Sequence, residues 1–591
     1  MFNKTKITLF VILALVLMLL TACGGANEQV NNNQSKPQEQ INKQTETKSN
    51  NDKKSVSYSR SETLVYGGGL WNAPVNWNPL TPWQETTGTT GLVYENLFHY
   101  YPLDNEYQPW LAKSGKWLSD KVYEIKLRKG IKWTDGEQFD AEDVRFTFEL
   151  SKNHPLHYSN IWDWLEDVEL VDNYTVKFTF NKPHYQEWKQ MLYQSPIIPE
   201  HIWGDMSSEQ LTSVANENPV GTGPYMAGGT GQDRMIWIRN NDWWGNDVFG
   251  QPKPKKLVNL VVPGNNNALG MLMKKELDLS NYFLPGIPQI KGNFGLKTWY
   301  KGAPHMISEN TALLFMNTTK APLDDAKLRR ALAFAINSES ITKKVFEEQV
   351  RVANPTGLFG KAWMDYYSKD AVNKYGFSYD ANKAKAMLDQ AGYVDANGDG
   401  WREKPNGEAF EVKIIVPNGW TDWMESIKII AQNFQAVGIN AVPSFPDYSV
   451  YMTQIQGGSF DMAINNFSSS RSSTPFSYWK WVASDEIHGE QVTDGNYSRY
   501  DDDRLFNMIK KFNMLKSDDP KAMEVAANIQ KRLLEKMPSI PVWYNGLWAQ
   551  STTGYWTNWP SEDNPEGYPC TWAGKWQFGS IEMLINLKPA Q

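Results

Sequence analysis

Sulfur and imidazole are scarce in this chain. Its 591 residues include two cysteines, Cys23 and Cys570, and seven histidines. Two cysteines allow at most one bridge, so this is not a disulfide framework. No His-Glu-x-x-His and no Cys-x-x-Cys occurs, which leaves metal catalysis without its usual sequence support. The phosphate-cradling pattern Gly-x-x-x-x-Gly-Lys-Ser/Thr is missing as well, so the chain carries no nucleotide-hydrolysis motif of its own. Lys and Arg number 59 against 66 Asp and Glu. Beyond the first 60 residues no basic block stands out, which argues against a nucleic-acid partner. Long apolar runs are lacking too. The longest, Ile7 to Leu20, has 14 residues, short of the roughly 20 that span a bilayer.

That run follows Lys4 and Lys6 and ends in small residues, the pattern of a secretory signal peptide over 1–22. Leu20-Thr21-Ala22-Cys23 resembles the lipobox of bacterial lipoproteins. The resemblance implies cleavage before Cys23, a diacylglyceryl group on its sulfur and an extracytoplasmic chain held at the cell membrane by that lipid. Acyl chains anchor by about 0.8 kcal/mol per buried CH₂. A lipidated Cys23 also leaves Cys570 without a bridging partner, as a buried spectator. Residues 23–60 are Asn, Gln, Lys, Ser and Thr with little to bury. Such a segment stays disordered and reaches on the order of 30 Å as a flexible coil. It suits a tether between membrane and a globular body.

What the chain has in excess is aromatic surface: 26 Trp, 27 Tyr and 25 Phe. The stretch GGGLWNAPVNWNPLTPW (67–83) spaces Trp71, Trp77 and Trp83 six apart among prolines. Neither helix nor central strand tolerates that pattern, so it reads as an ordered aromatic loop, either a domain plug or a ligand wall. Indole plates among Asn, Ser and Gly suit sugars, whose rings offer an apolar face and a hydroxyl rim. Elsewhere helices and strands mix without a fixed period, which predicts an α/β body. Strands are expected near Thr63–Tyr66, Lys121–Arg128, Tyr174–Phe180 and Glu411–Val416. Helices are expected over Gly88–Tyr101, Asp140–Glu149, Asp324–Ile336, Asp380–Ala391 and Glu425–Val437, the last ended by Gly438.

Five segments carry a family pattern, in order: Trp110–Glu149, Asn218–Tyr225 (NPVGTGPY), Asn240–Gly245 (NNDWWG), Leu313–Asn337 and Tyr379–Glu403. Together they resemble the extracellular solute-binding proteins of the oligopeptide type, family 5. LWNAPVNWNPLTPW, TTGLVYENLF and YSNIWDWL are similar to the subgroup that binds cello-oligosaccharides and related β-linked glucans or mannans. The resemblance implies a two-lobed periplasmic-binding-protein fold of type II with an extra inserted domain and a ligand cleft between lobes. It places lobe 1 at 61–103, 226–319 and 548–591, the insert at 104–225 and lobe 2 at 320–547. It further implies a monomer that closes around its ligand by a hinge, presents it to an ABC permease with ATPase subunits, and does no covalent chemistry.

The candidate ligand residues fall in four places. Trp71, Asn72, Trp77 and Trp83 lie in the aromatic loop. Asn465, Asn466, Ser469, Arg471 and Trp479 lie in and after a Ser-rich segment, whose alternative role is a solvated loop. In peptide-binding relatives that segment carries an Asp for the peptide ammonium. Here no carboxylate occurs between Asp461 and Asp485, and a buried ammonium without a partner is strongly disfavoured. Trp420 opens the third place, after a strand and before a helix, where open α/β sheets seat ligands; Trp423 beside it is read as core. Tyr544 and Trp548 lie where the chain crosses back between lobes and serve either as plates or as packing. Trp243 and Trp244 are read as structural. Asp395, Asn397 and Asp399 resemble the front of a calcium loop, with Glu403 at the ninth position and Asn406 where the twelfth-position Glu belongs. Any ion there would be structural, and no other cofactor is expected.

The expected function is capture of neutral, cellobiose-like β-linked oligosaccharides for an ABC importer. The same scaffold taking oligopeptides is the alternative. A secreted glycoside hydrolase is the alternative of another class, since aromatic clefts and carboxylate pairs serve hydrolysis as well.

Overall fold

A computed structural model describes residues 57–68, 76–81, 88–466, 472–485, 492, 495–571 and 576–590. Everything below belongs to the unit that begins at Tyr58. Cys23 and the signal-like segment lie outside the described residues, among which no helix is long and apolar enough to cross a membrane.

Two sheets organise the unit. The first has seven strands in the order Leu296–Lys297, Gln550–Thr552, Leu279–Ser280, Thr63–Gly67, Lys256–Leu260, Arg234–Arg239 and Tyr225–Thr230. Thr63–Gly67 runs parallel to its neighbours Lys256–Leu260 and Leu279–Ser280. The second has five strands in the order Ala441–Ser444, Val412–Ile415, Met462–Asn466, Ser308–Met316 and Ser539–Gly546. Val412–Ile415 is parallel to Ala441–Ser444 and to Met462–Asn466. The chain thus passes from the first sheet to the second between Lys297 and Ser308, and returns between Gly546 and Gln550. A four-stranded antiparallel sheet from Ala112–Ser119, Val122–Leu127, Thr175–Phe180 and Leu165–Asp172 forms the insert.

The strand Ser308–Met316 corrects the lobe boundary expected at 320. Its residues from Glu309 onward are buried, and burial at successive positions of both parities belongs to a strand covered on both faces. It sits inside the second sheet, paired on both sides. The helix expected over Gly88–Tyr101 is also absent. Gly88 and Gly91 adopt φ of 88° and 95°, which breaks a right-handed helix. A Cβ on Gly91 would stand 2.7 Å from that of Trp576. The aromatic run Phe98–Tyr101 then pairs as a strand with Glu106–Pro109.

The other expected helices form, with their acids as caps. Asp140 accepts from the Glu142 N–H ahead of Ala141–Asn153, and Asp380 accepts from Lys383 ahead of Ala381–Gln390. The helix near Glu425 starts earlier, at Thr421, and ends at Gln435.

One buried carboxylate ties the insert to the first lobe. Glu95 is fully buried. Its Oε1 accepts from Trp110 Nε1 at 2.7 Å and Trp243 Nε1 at 3.0 Å, and its Oε2 accepts from Trp244 Nε1 at 2.7 Å. Trp110 stands at the entry to the insert and the Trp243–Trp244 pair lies beyond its exit, so a single side chain clamps both roots. Burial pushes the Glu95 carboxyl up to about 7, although the indole donors pull the other way.

Candidate functional site

In an open sheet with parallel strands, loops leaving the carboxyl ends converge and hold ligands. Here Val412–Ile415 leads into Asn418-Gly419-Trp420, and Thr421–Gln435 starts directly after. Met462–Asn466 ends on Asn466, and Ser539–Gly546 ends on Asn545 and Gly546. From the first lobe, Lys256–Leu260 leads to Gly264-Asn265 and Leu279–Ser280 leads to Asn281 and Phe283. These loops and Trp548, on the returning crossover, line one crevice of about 360 Å³. That falls in the range of roughly 300–1,000 Å³ usual for small-ligand sites. Asn265 Nδ2 of the first lobe reaches Thr421 Oγ1 of the second at 3.4 Å across it.

The lining consists of aromatic plates and neutral amides. Trp420 is half-buried and meets Trp423 edge-on at 5.0 Å between ring centres. Trp548 is buried, stacked on Phe346 at 5.9 Å and set edge-on to Phe283 at 5.2 Å. Asn281 fixes the crossover: its Nδ2 donates to the carbonyls of Trp548 and Pro569, and its Oδ1 accepts from Thr571 N–H and O–H. Asn545 is buried, and its Oδ1 has no protein donor. A buried amide oxygen in that state is primed to accept from a ligand. Among the described lining residues there is no Lys, Arg or His, and one acid, Asp422. Burial pushes the Asp422 carboxyl up to about 6, opposed by N–H groups of the helix start.

Of the residues expected from sequence, Trp420, Asn466 and Trp548 meet in this crevice. Trp71, Asn72, Trp83, Ser469 and Arg471 lie outside the described residues. Four candidates lie off the crevice lining, and two share one cause. Successive side chains of a strand point to opposite faces. Ile464 packs in the core shared with the first lobe and Ala463 in the core behind the sheet, so Asn466 faces the crevice and Asn465 turns away. The Asn465 Oδ1 accepts from the Asn466 N–H instead. Likewise Trp543 and Asn545 share the crevice side, while Tyr544 packs on Phe359 behind the sheet and its hydroxyl donates to the Leu358 carbonyl. Trp479 is fully buried against Phe512. Trp77 is buried edge-on to Trp237, and its backbone N–H donates to the Ala215 carbonyl. Neither reaches the crevice lining. Asn281, Phe283 and Asn265 carried no sequence signal; they are single residues beyond short strands.

Asp395, Asn397 and Asp399 form a loop of the kind expected. Asp395 accepts from the Gly398 and Gly400 N–H groups, and Asn397 Nδ2 donates to the buried Glu403. Carboxylate oxygens of Asp395, Asp399 and Glu403 lie within 4.8 Å of one another and could hold a cation.

Two lobes, an insert and a polar crevice at the crossovers define a hinged solute receptor. The family of bacterial extracellular solute-binding proteins, family 5 Middle, matches residues 106–489, and the chain belongs to that family. It is 46% identical to the periplasmic oligopeptide-binding protein of an oligopeptide ABC transporter from Thermotoga maritima, over 90% of this chain and 100% of that one, with a TM-score of 0.88. A mannohexaose-bound structure of that description, also from Thermotoga maritima, matches at 46% identity over 90% of this chain and 99% of that one, with a TM-score of 0.86. The oligopeptide-binding protein AppA of Bacillus subtilis is 26% identical over 73% of this chain and 77% of its own length. The protein is therefore the substrate-binding component of an oligopeptide-type ABC importer. It is not an enzyme, which removes the hydrolase alternative.

Proposed function

We propose that the crevice captures a neutral β-linked oligosaccharide. One observation carries this reading: the described lining pairs Trp420 and Trp548 with the amides of Asn265, Asn418, Asn466 and Asn545 and contains no base. A peptide brings a carboxylate, and burying it in a lining without a base is costly, while its ammonium would find Asp422 as the one acid among the described lining residues. A sugar brings hydroxyls, which amides serve as both donors and acceptors. The similarity to a mannohexaose-bound protein supports the reading. Asp422 fits as an acceptor for hydroxyls.

The test is a thermal-shift screen with mannohexaose and cellohexaose against tri- and hexapeptides. Ligand at 100 times its Kd adds about 2.7 kcal/mol to the folded state, so the glycan arm should raise the melting temperature. A shift with peptides alone rejects the proposal.

A second prediction concerns Asp422. Hydroxyls that donate to its carboxylate favour the ionised form, so glycan affinity should rise with pH through about 6 and level off above 7. At pH 5 the group is mostly protonated, and affinity should be about tenfold weaker than at pH 7. Calorimetric titration across this range should show the slope in the native protein and lose it in Asp422→Asn. A flat profile in the native protein removes Asp422 from ligand contact.

A further inference from the structure

The insert and the second lobe meet away from the crevice, through polar groups. The helix Tyr185–Gln194 of the insert faces the helices Phe476–Val482 and Asp503–Asn513 of the second lobe. Glu187 Oε1 lies 3.2 Å from Lys480 Nζ, with the carboxylate side chain 18% exposed and the lysine 30%. Asn513 Nδ2 donates to Glu187 Oε2 at 3.0 Å and lies 3.0 Å from His184 Nδ1, while Asn513 Oδ1 accepts from the Glu187 N–H at 3.0 Å. Gln186, 3% exposed, donates to the Leu515 carbonyl at 2.6 Å and accepts from Thr474 Oγ1 at 3.0 Å. Each of these partners sits on the opposite side of the boundary.

We propose that this network is a clasp that favours the closed arrangement of the two halves. Glu187, Gln186, Lys480 and Asn513 are positioning residues: they touch no part of the ligand crevice and act by setting the population of the closed state. Three features support this. The contacts are reciprocal, since Asn513 and Gln186 each both donate and accept across the boundary, which fixes one relative orientation. The Gln186–Thr474 contact is buried, so water competes poorly for it, while Glu187, Lys480 and Asn513 border a cavity of about 440 Å³ at the boundary. And the carboxylate is held in its charged form: burial alone would push Glu187 up, but Lys480 and the His184 contact outweigh it and keep it down to about 2. A clasp that biases the halves toward closure leaves a ligand less reorganisation to drive, because apparent affinity scales with the competent fraction.

The experiment is small-angle X-ray scattering on the ligand-free full chain, which does not depend on the nature of the ligand. The variants are Lys480→Met, Asn513→Ala and Lys480→Arg, each checked for native circular dichroism. Removing one partner of a buried hydrogen-bonded charge pair weakens such contacts strongly, so Lys480→Met and Asn513→Ala should raise the open population tenfold or more and enlarge the radius of gyration. Lys480→Arg should scatter like the native protein. Should Lys480→Met fail to fold, Asn513→Ala carries the test. Native-like scattering from the folded opening variants, without ligand, overturns the clasp. If the clasp holds but mannohexaose leaves the expanded variants expanded, the clasp stands and the glycan proposal is the one rejected.

Discussion

Glu95→Ala is expected to destabilise the protein by about 3–5 kcal/mol, measured by urea unfolding at pH 7. Three indole N–H groups, from Trp110, Trp243 and Trp244, donate to this one carboxylate. Alanine leaves the buried Trp110 and Trp243 donors and the half-buried Trp244 donor without this acceptor, and each unpaired buried donor costs about 1–3 kcal/mol. Their sum is moderated by local relaxation and by relief of a buried charge. A loss below about 1 kcal/mol would mean that the indoles find other acceptors and that the clamp is incidental. The pH dependence gives a second readout. The folded carboxyl is raised to about 7 from an ordinary value of 4.5. Between those values the unfolded chain has released the proton and the folded one has kept it. Stability from this group is therefore greatest below 4.5 and declines as pH rises toward 7, by about 3 kcal/mol at 1.36 kcal/mol per pH unit. Glu95→Gln cannot titrate. It keeps an acceptor for Trp110 and Trp243 but turns an N–H toward Trp244. The stability gap between native protein and Glu95→Gln should narrow by about 3 kcal/mol from pH 4.5 to 7 and stay constant above. A gap that does not move with pH refutes the raised carboxyl.

The same clamp shows what kind of information the sequence held. NNDWWG was legible as a structural motif because it belongs to the pattern shared across the family. That Glu95 is their common acceptor was not legible, since it lies 148 residues earlier and no local rule joins them. Secondary structure followed the same division. Caps such as Asp140 and Asp380 and the alternating strands were readable because their causes lie within four residues. Gly88–Tyr101 misled because its periodicity is set by pairing with Glu106–Pro109 and by two glycines at positive φ. In the site, Trp420 was readable from a strand, a turn and a helix start in sequence. Asn465 against Asn466, and Tyr544 against Asn545, turned on the pleat: only the position of the second sheet relative to the first lobe decides which parity faces the ligand. That the Asn466 side of the wall carries no acid was legible as a missing carboxylate after Asp461, whereas the placing of Asp422 in the lining was not. Asn281 was not, because its role is to hold the Trp548 and Pro569 carbonyls from more than 260 residues away.

Trp420→Ala is the sharpest test of how the crevice grips its ligand. Three indoles line it; Trp423 is buried in the core beneath Trp420, and the other two differ in one respect that matters for mutation. Trp548 is buried and stacked on Phe346, so its truncation removes core as well as contact and mixes a stability loss with a binding loss. Trp420 is half-buried and stands on Trp423 by an edge, with Gly419 before it free of neighbours at φ 87°. Truncation there should leave stability within about 1 kcal/mol of native. Aromatic anchors in binding sites commonly cost about 2 kcal/mol or more when removed, which is roughly 30-fold in Kd. The expected result for mannohexaose or cellohexaose is therefore a 10- to 100-fold weaker Kd for Trp420→Ala, with an unchanged urea midpoint. Trp420→Phe, which keeps a flat apolar face, should recover most of the loss, whereas Trp420→Leu, of similar hydrophobicity but not flat, should not. Equal affinities for the Phe and Leu variants would show that Trp420 contributes apolar area and not a stacking plane. Native affinity in Trp420→Ala would place the sugar rings elsewhere along the crevice.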